Sequence, residues 1–171
     1  MRSKAKAPAR RASPAAAAAA ESPARQLAGF VAKFDPDVAR LIRGVRRELR
    51  RRLPTAFELV YDNYNFFVIG FGPTERASEC VVSLAAAANG VGLSFVHGAS
   101  LPDPDRVLLG AGKQNRFVRL PSAATLSEPA VEALLRAAVA QARTPFPTAG
   151  RGRTVIKSVS AKQRPRRRAS A

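Results

Sequence analysis

The stretch Leu108 to Leu120, LLGAGKQNRFVRL, brings Lys113 and Arg116 close to two glycines. Those residue types can bind a phosphate, because turn amides and a nearby cation both favour negative charge. A nucleotide P-loop would also need glycine at 107 and Ser or Thr at 114, where the chain has Val107 and Gln114. A dinucleotide fingerprint would need a third glycine at 115, which is Asn115. The glycines have a simpler use, ending one element and turning the chain into a strand. What survives is a small-anion site at Lys113 and Arg116.

Other residues that could do chemistry are isolated. Cys80 and His97 are the only thiol and the only imidazole. If Asn89-Gly90 closes a tight hairpin with Ala88 facing Val91, Cys80 and His97 become diagonal neighbours on one sheet face. Structural zinc needs four ligands, and the chain has no CxxC pair and no second histidine. A buried thiol and a satisfied core-edge histidine are therefore expected, with no metal site and no cofactor. Asp35, Asp37, Asp62, Asp103 and Asp105 each have a turn, capping or surface-pairing role to fill, so they form no acid and base pair. A non-enzymatic protein is expected.

The strongest cluster is cationic. Arg40, Arg43, Arg47 and Arg50 recur at three and four residues and share one helix face, with only Glu48 as an acid between Arg40 and Arg52. Like charges at that spacing weaken a helix, and an anionic partner would relieve the repulsion. Together with Arg164, Arg166, Arg167 and Arg168 in KQRPRRR, they suggest nonspecific nucleic-acid contact. Aromatic residues make up only 6% of the chain, which argues against an extended stacking platform.

The elements that must position these residues follow from periodicity. Ser22-Pro23 and Asp35-Pro36 are helix starts. Val38, Leu41, Ile42, Val45 and Leu49 then trace an amphipathic helix. AFELVY, YNFFVIGF, ECVVSLAAAA, VGLSFVHG and QNRFVRL read as five strands, and LPDPDRVLLG as a short helix. Thr125 with Glu128, or Ser127 with Pro129, opens a last helix carrying Val131, Leu134, Leu135 and Val139. Short connections between consecutive strands favour antiparallel pairing. The expectation is an α+β domain: an antiparallel sheet of about five strands with N- and C-terminal helices packed on one face.

Composition bounds the rest. The 171 residues carry a formal charge of +17, a field that attracts polyanions. Residues 1–26 hold six basic residues and one acid, and residues 151–171 hold eight and none. Three parts are expected: a disordered basic Ala/Pro-rich segment at 1–22, the domain at 23–146, and a basic tail at 147–171. The apolar run Ala15 to Ala20 is too short and too weak for a secretory signal. With a single cysteine, a cytoplasmic protein without a membrane span is expected.

Three stretches resemble the YdhG-like domain family, a bacterial group whose function is largely uncharacterised. They are LPTAFELVYDNYNFFVIGFGPTERASE (53–79), GLSFVHGASLPDPDRVLLGAGKQNRFVRL (92–120) and RTVIKSVSAKQRPRRR (153–168). The resemblance implies a compact α+β domain. It also points to Tyr61, Asp62 and Asn63 together with Lys113 and Arg116 as a shared pocket for an anionic ligand. Some members are described as frataxin-like iron chaperones. That alternative implies an exposed cluster of carboxylates, which this basic sequence does not display.

Overall fold

The computed structural model describes residues 21–169, so the expectation for residues 1–22 lies, but for its last two residues, outside the described residues. Ser22 caps the first helix, α1 (Pro23–Ala32): its hydroxyl accepts the Arg25 amide at 3.3 Å, and Pro23 takes the first turn. The second, α2 (Pro36–Arg52), buries Ile42, Val45 and Leu49 of the expected stripe together with Ala39, while Val38 and Leu41 are half-buried. Asp35 stands at its N-cap but makes no cap bond through its side chain. Its carboxylate accepts the Arg168 amide instead, at 3.2 Å.

Six strands follow: β1 (Phe57–Asp62), β2 (Phe67–Gly72), β3 (Val82–Ala87), β4 (Gly90–Phe95), β5 (Arg116–Arg119) and β6 (Thr154–Val159). A third helix, α3 (Pro129–Ala140), lies between β5 and β6 and starts at Pro129; a short 3-10 turn, Ala123–Ser127, precedes it in place of a capping box. The sheet order is β5-β4-β3-β2-β1-β6. One core draws side chains from all three helices and from one sheet face. Phe30 and Phe34 of the α1 region meet Phe67 of β2 at centroid distances of 6.2 and 6.1 Å. The architecture is α+β.

Two sheet expectations need correction. The sheet has six strands and is mixed, because β6 pairs parallel with β1. Nearly the whole domain separates β1 from β6 in sequence, so the crossover length that restricts parallel pairing is available. The segment expected to be a basic tail from 147 thus supplies an edge strand. Gly152 makes the approach possible: a Cβ there would overlap the Ala56 carbonyl, and its amide donates to Pro54 O at 3.1 Å.

The β3-β4 register is also two residues from the expected one. Ala87 pairs with Gly90 and Ala86 with Val91, so the turn is Ala88-Asn89. Gly90 carries φ +141, a conformation that penalises other residues. Val82 faces Phe95, and Cys80 and His97 lie beyond the strand ends. Residues 101–109 hold a turn in place of the expected short helix. Both carboxylate oxygens of Asp103 accept amides there, from Val107 at 3.0 Å and Leu108 at 2.9 Å.

Candidate anion-binding site

Two acids on β1 organise the cations of this chain. Strand alternation puts Glu58, Val60 and Asp62 on the face that meets α1 and α2. Both acids are buried, at 1% and 0% exposure, and a buried carboxylate needs partners. Glu58 receives a two-pronged Arg46 guanidinium, Nε to Oε1 at 2.7 Å and Nη2 to Oε2 at 2.8 Å. Arg50 Nη1 and Thr154 Oγ1 both donate to Oε2 at 2.6 Å. Burial pushes the Glu58 pKa up. The bonds from Arg46 and Thr154 and the charges of Arg46 and Arg50 outweigh it, and hold the pKa below its ordinary 4.5.

Asp62 gathers the C-terminal segment. Lys33 Nζ donates to Oδ2 at 2.5 Å and Arg166 Nη2 to Oδ1 at 3.0 Å. Arg166 also donates to the carbonyls of Asn65, at 3.0 Å, and Asn63, at 2.5 Å, and its guanidinium lies over the Phe34 ring. Gln163 Nε2 donates to Asp62 O at 3.0 Å. The C-terminal segment, β6 and the residues after it, is therefore fastened near both ends of β1, through Thr154 on Glu58 and through Arg166 on Asp62.

A cleft of about 220 Å³ opens between α1 and α2. Leu27, Val31 and Ile42 line its apolar part, and Arg43, Arg46, Arg47 and Arg50 line the rest. Arg46 and Arg50 are held by Glu58 and are thereby pre-positioned. Arg43 and Arg47 are exposed and have no acidic partner among the described residues. Four guanidiniums around one inward-turned carboxylate leave an excess of positive charge, suited to phosphate or carboxylate.

The sequence-expected residues divide around this arrangement. Arg43, Arg47 and Arg50 come together at the cleft, while Arg40 pairs with Asp37 at 2.8 Å. Arg166 is a correction: at 5% exposure and locked on Asp62, it is a structural cation with no surface left for nucleic acid. Arg164, Arg167 and Arg168 stay exposed, on a docked segment. Arg164 lies over the Tyr64 ring, and Arg167 donates to Ala32 O at 3.5 Å.

The pocket expected from Tyr61, Asp62, Asn63, Lys113 and Arg116 is also corrected. β1 and β5 stand four strands apart, a separation of about 19 Å. Tyr61 points to the opposite sheet face from Asp62, and Asp62 has no accessible surface. Asn63 Oδ1 accepts from Ser158 Oγ at 2.7 Å. Lys113 is exposed, and Arg116 turns back onto the carbonyls of Gly112 and Asn115. The glycine loop closes a hairpin through a Leu109–Phe117 bridge.

His97 is exposed in the turn after β4, not satisfied at a core edge. Cys80 is buried with its Sγ packed over Gly70, and burial raises its pKa to about 11. Tyr61 is raised by partial burial and by the nearby Cys80. No group of three or more His, Cys, Asp or Glu suited to a metal occurs among the described residues. No helix among them is long and apolar enough to cross a membrane.

Sequence reasoning missed Glu58, Lys33, Thr154 and Gln163. The available signal was parity: Glu58 and Asp62 share a side of a strand that also bears Val60. Compared with known proteins, the chain matches no family model, no curated protein and no solved structure.

Proposed function

We propose that this chain is a non-enzymatic binding module whose α2 arginine face takes an anionic ligand or partner. One observation carries the reading. Arg43 and Arg47 stand exposed without an acidic partner, one turn from Arg46 and Arg50, which Glu58 holds in place. Pre-positioned guanidiniums lose less entropy on meeting an anion than free ones. Nonspecific nucleic-acid contact is one version of this function. In it Arg40, Arg43, Arg47 and Arg50 act with the exposed Arg164, Arg167 and Arg168, and Arg166 serves only to hold their segment. A cytoplasmic setting is consistent with the single free thiol, Cys80. Membership of the YdhG-like family remains part of the proposal and rests on the three sequence stretches.

The test is titration of the full chain with inorganic pyrophosphate and with short DNA, at low and high salt. The expected outcome is saturable binding at low salt that weakens as salt rises. It should fall at least about tenfold in Arg43→Ala/Arg47→Ala, as loss of charged hydrogen bonds requires. Undetectable binding at low salt, or an unchanged affinity in that variant, contradicts the reading.

A further inference from the structure

Away from the α2 cleft, exposed aromatic rings stand beside unpaired cations on the turn between β1 and β2. Tyr64 and Phe66 are each 50% exposed there. The turn is held firmly. Asn63 N donates to Phe66 O at 3.0 Å, and the enclosed Arg166 donates to the carbonyls of Asn63 and Asn65. The C-terminal segment runs past it: Arg164 N donates to Tyr64 O at 2.9 Å, and the Arg164 guanidinium lies over one side of the Tyr64 ring. Arg164, Arg167 and Arg168 are exposed and make no ion pair among the described residues. Arg168 and Phe66 line one open hollow, whose single acid, Asp37, is paired with Arg40.

Resting on the nucleic-acid version of the reading above, we infer that this turn is a contact for single-stranded nucleic acid. Bases stack on Tyr64 and Phe66, and Arg164, Arg167 and Arg168 take the phosphates. A single strand alternates flat π faces with negative charges, and rings set beside unpaired guanidiniums match that alternation. A duplex matches it poorly, because its bases are stacked on one another and cannot reach the rings. Two rings make a short platform, in keeping with the low aromatic content of the chain. Arg166 fixes the turn and the arginine segment together before a strand arrives, which spares ordering entropy. Beyond Phe66 the open sheet face continues the path: Val68, Ala85, Gly92 and Arg119 stand in one register row. The small side chains in its middle leave room for a strand, and Arg119 ends it with another exposed cation.

The experiment is titration of the full chain at low salt with oligothymidylate and oligouridylate of about ten nucleotides, a length within the range single-strand sites cover. An abasic strand and a duplex of the same length are the comparisons. The base-bearing single strands should bind at least about tenfold tighter than either. Tyr64→Ala/Phe66→Ala should lower that affinity about thirtyfold or more, as the loss of two stacked bases requires. It should leave the melting temperature and the affinity for pyrophosphate, which has no base, as in the parent. Arg164→Ala/Arg167→Ala/Arg168→Ala should reduce the salt slope by about two, since three phosphate contacts contribute about 0.7 each. The chain has no tryptophan, so Tyr64→Trp supplies a single probe. Its emission should be quenched by oligothymidylate and unchanged by pyrophosphate.

The opposing results are distinguishable. Equal affinity for the base-bearing and abasic strands, or for the duplex, overturns the stacking site and leaves phosphate contact alone. Unquenched emission from Tyr64→Trp under saturating oligothymidylate places the bases elsewhere and overturns it as well. Binding of pyrophosphate without any oligonucleotide removes the inference, leaves anion binding at α2 intact and assigns the two rings to a protein contact. No binding of either removes the inference and the function it rests on together. The two oligonucleotides separate the sources of such a strand: tighter binding of oligouridylate names RNA and tighter binding of oligothymidylate names DNA, and either order sustains the site.

Discussion

The arginine face of α2 and the KQRPRRR segment look alike as sequence, since both are basic runs poor in acids. In the structure they divide the work. On α2, Arg46 and Arg50 are held by Glu58, and Arg43 and Arg47 remain open at a cleft. In the C-terminal segment Arg166 is enclosed on Asp62 and its neighbours stay outside. The difference is set by β1, whose two buried acids choose which cations become structural. A basic run thus reports total charge, and the carboxylates that fold against it decide how much is left to bind anything.

Removing the deepest pair should break this comparison most severely. Arg166→Ala leaves Asp62 buried with Lys33 as its remaining charged partner, and breaking such a pair costs about 3 kcal/mol or more. Urea denaturation should show the loss. Gly152→Val should give a comparable drop by another route, because a side chain there overlaps Ala56 and keeps β6 from seating. If both variants melt like the parent chain, the segment is not fastened as described.

Glu58→Gln should come next, at about 2 kcal/mol, because its guanidinium partners are partly exposed and can recover water. The same residue gives a pH signature. Its pKa is lower in the folded chain than its ordinary value, so the unfolded chain binds the proton first as pH falls. Its contribution is therefore complete above the ordinary carboxylate range and is lost as pH falls through the folded pKa. Glu58→Gln should flatten the acid limb of stability against pH, and an identical limb in both proteins would refute the pairing. The smallest expected effect on stability belongs to Arg43→Ala/Arg47→Ala. A change within about 0.5 kcal/mol is expected, toward greater stability if relief of like-charge repulsion dominates.

The helices and most strands were legible because their signals are local. Ser22-Pro23 and the stripe from Val38 to Leu49 needed no tertiary information. The β3-β4 hairpin was seen but misplaced, since Asn-Gly usually fills both turn positions and here Gly90 falls one residue later. β6 was hidden. Only Thr154 to Ile156 look like a strand, and the surrounding arginines and lysines read as solvated tail until Arg166 is known to face Asp62 and Arg153 to face Glu75. The candidate site was half legible. Spacing put Arg43, Arg47 and Arg50 on one face. The acids that sort the arginines act across the fold, and Glu58 sat unnoticed inside an apolar strand.

The most direct test sets the two basic regions side by side in one titration at low salt. Pyrophosphate is added to the parent chain, to Arg43→Ala/Arg47→Ala and to Arg166→Ala, and each protein's thermal melting is recorded. The account predicts a crossed result. The α2 variant loses at least about tenfold in affinity and melts normally, whereas Arg166→Ala melts early and, below its transition, binds as the parent does. An α2 variant that binds like the parent, or an Arg166→Ala protein that loses affinity while keeping its stability, would contradict the assignment of binding to α2 and fastening to the C-terminal segment.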